Sequence, residues 1–306
     1  LALAGNRLQA LPAEMAACHQ LELLRIAANQ LTELPAWLLD LPRLTWLAYA
    51  GNPCCADAEQ ATLTQSPIAS IDWRELQLQQ ILGAGASGVI HLAEQRRADS
   101  ARSVAVKLFK GEMTSDGRPE SEMAACLAGG EHPHLIPLLG RIEGHPQAGQ
   151  GLVMALVGTE FRSLAGPPSL DSCTRDIYRA DSRWSPAIAL QLASSMASTL
   201  EHLHARGVLH GDFYGHNILH DGSGRALLGD FGAATLLSAL PAELAAGLQK
   251  MEVRAFGCLL EELLERIAPT EGDDLLLARL AALRDACLDP LPASRHDFKT
   301  LVDEVR

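Results

Sequence analysis

Three oxygen-bearing side chains gather in the second half of the chain. Asp212 and Asn217 sit five positions apart in the run His210-Gly211-Asp212-Phe213-Tyr214-Gly215-His216-Asn217, and Asp230 follows thirteen positions later in Gly229-Asp230-Phe231-Gly232. Such a set can surround a hard divalent cation, which takes oxygen ligands. Upstream, Gly83, Gly85 and Gly88 form a G-x-G-x-x-G run. Glycines let backbone amides approach a phosphate closely. Alone that run is a weak signal, and its context decides between two versions. A dinucleotide fold follows the glycines with a helix, whereas Val89 to Ala93 reads as a strand, which suits a hairpin closing over nucleotide phosphates. Lys107 ends the apolar run Val104-Ala105-Val106. A lysine there is often only a solvated strand end, but Glu122, fifteen residues on and in helical register with Met123 and Leu127, can reach back to it; Glu120 is the alternative.

The elements that must position these residues follow from apolar periodicity. Leu76, Leu78 and Ile81-Leu82 read as a strand before the glycines. Residues 120–140 read as a helix and then a strand, 151–158 as another strand, and 250–266 as a buried helix. The stretch 163–186 is irregular, with Pro167-Pro168 opening it and Ser185-Pro186 starting the next helix; it reads as a surface insertion or a substrate or partner loop.

The front of the chain repeats with an offset of 23 residues: Leu1, Leu24 and Leu47; Asn6, Asn29 and Asn52; Leu11-Pro12 and Leu34-Pro35. In each unit two apolar residues face one side of a short strand, an asparagine ends it, and leucines turn back into the same core. A unit of this kind cannot bury its apolar face alone and must stack. Two full repeats and part of a third fall short of the about three that stable stacking needs, so the expectation is an array that continues upstream and docks on the downstream part of the chain. Its alternatives are a structural cap and a partner-binding concave surface. The outward strand positions Ala2, Ala4, Arg25, Ala27, Ala48 and Ala50 are mostly alanine, a poor hot spot. Residues 54–73 are small, polar and weakly periodic, and read as a linker.

Composition narrows the classes. Of 306 residues, 48% are hydrophobic and 20% charged, which supports a sizeable core. The net charge of −12, with no basic block, argues against a nucleic-acid or anionic-membrane partner. No run of about 18 apolar residues indicates a membrane span. The seven cysteines (18, 54, 55, 126, 173, 258 and 287) have neither zinc spacing nor a disulfide pattern, which suits free thiols in a cytoplasmic setting.

The 23-residue units resemble leucine-rich repeats over residues 1 to about 53. From about 76 onward the chain resembles a eukaryotic-type protein kinase, on the glycine run, the Val-Ala-Val-Lys strand, His132-Pro133-His134-Leu135, the His-Gly-Asp loop with its Asn, and Asp-Phe-Gly. The expected fold is α+β: a bilobal protein-kinase fold preceded by a short α/β leucine-rich repeat solenoid fragment. The expected boundaries are repeats at 1–53, linker at 54–73, N-lobe and hinge at 74–158, and C-lobe at 159–306. The resemblance implies ATP and Mg2+ as cofactors. It implies Asp212 as catalytic base, Lys107 held by Glu122 at the α- and β-phosphates, and Asn217 and Asp230 as metal ligands. Gly83, Gly85, Gly88, Ile90, Ala105, Met154 as gatekeeper, and Ala155 and Leu156 as hinge backbone would hold the nucleotide. The implied partner is a protein substrate with a Ser or Thr hydroxyl, or a protein bound through the repeats.

The chain departs from the family pattern in three places. Gly211 stands where the catalytic loop usually carries arginine, so an activation-loop phosphate switch is not expected. Tyr214 stands where Ser/Thr kinases place a lysine at the γ-phosphate; it reads as a packing aromatic or a hydrogen-bond donor. Only 22 positions separate Asp230 from Glu252, with Leu240-Pro241-Ala242-Glu243-Leu244 as the stand-in for Ala-Pro-Glu and Glu243 expected to pair with a buried Arg295. These departures leave open a pseudokinase scaffold and a small-molecule phosphotransferase.

Overall fold

The computed structural model describes residues 1–305 apart from 67, 86, 98–99, 148, 170–171, 173–174 and 269–271. Cys173 and part of the 163–186 stretch therefore lie outside the described residues.

The front units form short parallel strands, β1 (Leu23–Arg25) and β2 (Trp46–Ala48), in register Leu24 to Leu47. The repeated asparagine explains the spacing. Asn29 Nδ2 donates to the carbonyls of Leu3 and Ile26 at 2.9 and 3.0 Å, while its Oδ1 accepts from the Leu8 amide. Asn52 does the same one unit later, its Oδ1 accepting from the amides of Asn29 and Leu31. Each asparagine thereby satisfies the backbone of its own turn and of the preceding one, groups that burial would otherwise leave unpaired.

The expected linker is instead mostly a helix, α1 (Pro53–Gln65). Pro53 starts it at a position where the missing N–H is harmless, and Cys55 and Glu59 are its buried face. The Gly51 amide donates to Glu59 Oε1 at 3.1 Å, tying the helix back to the last repeat.

The upper lobe is a six-stranded sheet built from β3 (Ser70–Asp72), β4 (Leu76–Ala84), β5 (Gly88–Arg97), β6 (Ser100–Phe109), β7 (Leu138–Glu143) and β8 (Gly151–Ala155), ordered β3-β7-β8-β6-β5-β4. α2 (Pro119–Gly129) lies between β6 and β7 in sequence. After β9 (Arg162–Ser163) comes α3 (Pro186–Ala205), whose first turn is capped by Ser185 accepting from the Ile188 amide. The lower lobe continues through β10 (Val208–Leu209), β11 (Ile218–His220), β12 (Ala226–Leu228), β13 (Thr235–Leu236), α4 (Ala242–Leu264), α5 (Asp274–Cys287) and α6 (Phe298–Val305). Its core joins Leu192, Met196, Leu200, Phe213, Phe256 and Phe298. No helix among the described residues is long and apolar enough to cross a membrane.

The repeats do not stand apart. Leu24, Ile26, Leu31, Leu44 and Leu47 share one buried cluster with Leu209, Leu237, Leu244, Leu248 and Met251 of the lower lobe. At about 1.5–3 kcal/mol for each fully buried aliphatic side chain, this joint core is a major stabilising element. The alanines expected on an open concave surface are covered: Ala27, Ala48 and Ala50 are buried, and Ala27 and Ala48 pack on Ala233. Small side chains there let the two backbones approach.

The expected pair of Glu243 and Arg295 does not form. Glu243 is exposed in the first turn of α4. Arg295 is buried, but its guanidinium donates to three carbonyls, of Asp289, Lys250 and Pro42, at 3.0, 3.1 and 2.7 Å. Burial, with Arg254 nearby, outweighs the attraction of Asp289 and lowers its pKa to about 10. Its role is to satisfy backbone oxygens across 253 positions of chain, not to make an ion pair.

Candidate active site

Between the lobes, β6 delivers Lys107 and α2 delivers Glu122, both almost fully buried, and the two side chains are paired. Lys107 Nζ also stands 3.4 Å from Asp230 Oδ1. Burial works against the ammonium charge, yet the two carboxylates outweigh it and hold the Lys107 pKa above its ordinary range. The protein on either side of the cleft disfavours charge on Asp230 even though its side chain stays half-open, and Lys107, the Gly232 amide and His210 outweigh this and bring its pKa down. Asp230 adopts a positive φ of 52° and accepts from the Gly232 amide at 3.2 Å. Its carboxylate faces outward, 52% exposed, into the space between the lobes.

Opposite lies the loop from His210 to Asn217. Its base is held from α4: Glu252 accepts from the Gly211 amide at 2.8 Å with one oxygen and pairs with His204 at 2.7 Å with the other. Asn217 Nδ2 donates to the Asp212 carbonyl at 2.9 Å, which fixes the amide and leaves its oxygen as the remaining polar face. Asp212, Asp230, Ser87, Thr114, Asp116, Gly232 and Ala233 line a small cleft. Asp212 Oδ1 is a buried acceptor with no hydrogen-bond partner among the described residues, an orphan that a hydroxyl donor or a cation would satisfy. Burial raises the Asp212 pKa and His216 offsets part of that rise.

Ile90, Lys107 and Met154 line an adjoining apolar cavity with Leu138, Leu152, Leu228 and Phe231, closed behind by Glu122 and Cys126. Of the other residues expected near a nucleotide, Ala105 is buried on β6 and Leu156 is exposed beyond β8. The Ala155 amide donates to the Pro137 carbonyl at 2.9 Å, so that N–H is engaged within the sheet. Side chains at Gly83 and Gly85 would point into open space, whereas a Cβ at Gly88 would lie 2.6 Å from the Leu108 carbonyl oxygen. Packing alone therefore demands glycine at 88, and at 83 and 85 the hairpin simply leaves room.

The departures in the loop have one cause: the repeats lie against it. The Leu47 amide of β2 donates to the Gly211 carbonyl at 3.1 Å. Gly211 has φ +76°, and a Cβ there would meet the Ala233 and Leu47 carbonyl oxygens at 2.6 and 2.8 Å. An arginine has no room. Tyr214 is 2% exposed, its hydroxyl 2.6 Å from Thr45 Oγ1 and its ring 5.3 Å from that of Trp46. It is a packing aromatic that turns away from the cleft. The short run after Asp230 is buried from Ala233 to Leu237, with Ala233 and Leu237 packed against the repeats and Ala234 and Leu236 in the lower-lobe core.

Three contributors carried no motif. His216 donates through Nδ1 to Asp176 Oδ1 at 2.8 Å, and its Nε2 stands 3.7 Å from Asp212 Oδ2. Burial disfavours the imidazolium, but the two carboxylates outweigh it and raise its pKa to about 10. Asp176 comes from the stretch read as a surface insertion, yet it is buried; nothing in its neighbourhood in sequence marks it. Arg25 of β1 stacks over the Trp46 ring at 4.4 Å and pairs with Asp116 at 2.7 Å.

Comparison with known proteins agrees with this arrangement. A family model for the protein kinase domain matches residues 76–254. The chain is 33% identical over 171 residues to the serine/threonine-protein kinase PkaB of Streptomyces coelicolor, covering 52% of this chain and 36% of that protein. It is 25% identical over 234 residues to the serine/threonine-protein kinase PrkC of Bacillus subtilis, covering 68% and 33%. It is 32% identical over 163 residues to the serine/threonine-protein kinase PknH of Mycobacterium bovis, covering 52% and 24%. The matches thus span about a third or less of the length of these relatives. The family model takes in the glycine hairpin, Lys107, Glu122, the loop of Asp212 and Asn217, and Asp230, and on that match the chain belongs to the protein kinase family.

Proposed function

We propose that this chain is an ATP- and Mg2+-dependent protein kinase of the Ser/Thr type, with its catalytic domain seated on leucine-rich repeats and working in the cytoplasm. The observation that carries the reading is the convergence of Lys107, Glu122 and Asp230 on one side of a cleft with Asp212 and its unpartnered oxygen on the other. In this reading Lys107, steadied by Glu122, binds the α- and β-phosphates, and the 83–88 hairpin covers them. The cavity behind Met154, lined by Ile90, takes the adenine side. Asn217 and Asp230 supply the oxygen ligands that suit Mg2+, which when bound neutralises phosphate charge. Asp212 orients the acceptor hydroxyl and takes its proton, and the Asp176–His216 pair holds Asp212 in place. The serine/threonine-kinase names of the relatives favour Ser or Thr as acceptor. Because the alanine face of the repeats is buried against the lower lobe, a protein partner would meet the repeats elsewhere than on that face.

The second reading is a nucleotide-binding scaffold without transfer. It is favoured by Tyr214, which places no cation where Ser/Thr kinases have lysine. Transfer from radiolabelled ATP with Mg2+ separates the two, comparing wild type with Asp212→Ala and Asp230→Asn. Labelling of the chain or of a generic protein acceptor, lost by at least about 100-fold in both variants, supports the kinase. No labelling, with nucleotide still raising the melting temperature, supports the scaffold.

A further inference from the structure

The connection from β6 to α2, residues 110–118, links the strand of Lys107 to the helix of Glu122 and descends onto the repeats instead of staying with the upper lobe. Thr114 shapes it into a tight turn, its hydroxyl accepting from the amides of Asp116 and Gly117 at 3.1 and 3.2 Å while its own amide donates to the Gly117 carbonyl at 2.8 Å. One side of the turn faces the chemistry. Thr114 and Asp116 line the cleft of Asp212 and Asp230, and a Cβ at Gly117 would lie 3.0 Å from the Gly232 carbonyl oxygen. The other side faces the repeats. The Gly117 Cβ position lies 3.5 Å from the Ala50 Cβ, and Asp116 is paired with Arg25 at 2.7 Å.

Arg25 is well placed to hold such a joint. Its guanidinium lies 4.4 Å from the centre of the Trp46 ring, and that ring is the neighbour of Tyr214 and His216 in the catalytic loop, at 5.3 and 6.0 Å. Arg25 Nε and Asp116 Oδ1 are buried and make no aligned hydrogen bond, so charge attraction and the ring stack, both in a partly desolvated setting, hold the guanidinium there. The side chains of Arg25 and Asp116 are 25% and 16% exposed, so this is not a freely hydrated surface pair.

We propose that Arg25 is a positioning residue for phosphoryl transfer. Its ion pair with Asp116 ties the 110–118 connection to the repeat face that backs the catalytic loop, so the seated repeats set how Lys107 and Glu122 close over Asp212 and Asp230. The proposal rests on the kinase reading. It makes the repeats a working part of the active site and gives the lobes a register that needs no phosphate on the short segment after Asp230.

A charge-swap cycle tests it. Arg25→Glu, Asp116→Arg and the double variant are assayed for kcat and KM, for melting temperature, and for amide hydrogen exchange over residues 110–125. The expected result is that each single variant loses about tenfold in kcat/KM and exchanges faster over 110–118, with the melting temperature within a few degrees of wild type. The double variant then recovers most of both. Single variants that keep wild-type kinetics, or a double variant no better than the product of the singles, would overturn the proposal. So would loss of activity that only tracks melting temperature. If wild type transfers no phosphate, the kinase reading fails, and exchange over 110–118 still decides whether the pair holds the connection.

Discussion

His216 sits between two carboxylates and carries its charge over most of the pH range. Its ordinary pKa is about 6.5, and in the folded chain it is raised to about 10, burial being outweighed by Asp176 and Asp212. Because the folded value is the higher one, the stabilisation is fully present below about pH 6.5 and is lost as pH rises through about 10. Each pKa unit is worth about 1.4 kcal/mol. The stability gap between wild type and His216→Gln should therefore be several kcal/mol near pH 6 and close through pH 10. Denaturant unfolding across that range measures it, and a gap independent of pH would show that His216 only fills space. At this scale the sequence is legible where spacing carries chemistry: Lys107, Asp212, Asn217 and Asp230 announce themselves by order and interval. Asp176 does not, because it reaches His216 across 40 positions from a stretch without periodicity. His216 itself lies beside Asn217 without a signal, since a histidine in a loop has no partner until the fold supplies one.

At the scale of elements, the catalytic loop and β2 form one unit. Thr45 and Tyr214 share a buried hydrogen bond of 2.6 Å. Thr45 Oγ1 also donates to the Glu22 carbonyl at 3.2 Å, so the Tyr214 hydroxyl donates to it; removing the Thr45 hydroxyl leaves that of Tyr214 without its acceptor, whereas removing both restores balance. Thr45→Val and Tyr214→Phe should each destabilise by about 1–3 kcal/mol, and the double variant by less than the sum of the two. Urea midpoints of the three proteins measure this, and strict additivity would count against a shared bond. Within the loop alone Tyr214 resembles a lost lysine; beside Thr45 and Trp46 it is a hinge between repeat and loop. Distant partners also hide α1. Residues 54–65 show almost no apolar periodicity because little of the helix is buried, chiefly Cys55 and Glu59. The alanines at 27 and 48 are featureless in sequence for the opposite reason, since their smallness is what close contact with Ala233 requires.

For the whole molecule, two architectures in succession are legible in the chain, but not that they share a core. The joint cluster of Leu24, Ile26, Leu47, Leu209, Leu248 and Met251 has no signature in either half read separately. Deleting residues 1–53 should strip that face and yield an aggregating or loosely packed lower lobe, while the intact chain unfolds in a single transition. Calorimetry and dye binding to exposed apolar surface report both. A truncated chain melting as cooperatively as the intact one would mean the shared core is dispensable.

The Arg295 guanidinium on the Pro42 carbonyl carries a consequence for synthesis. A ribosome releases the repeats first, and the side chain that closes this contact emerges 253 positions later. The apolar face of β1 and β2 stays uncovered until Leu209 to Met251 have followed, and the carbonyl of Pro42 waits longer still, for Arg295. Contacts this distant in sequence form late and slowly, and an emerging chain with such a face exposed is a natural client for chaperones. The loop of Asp212 in its final setting would thus be one of the last features to appear on a nascent chain, because its backing is made first and fastened last.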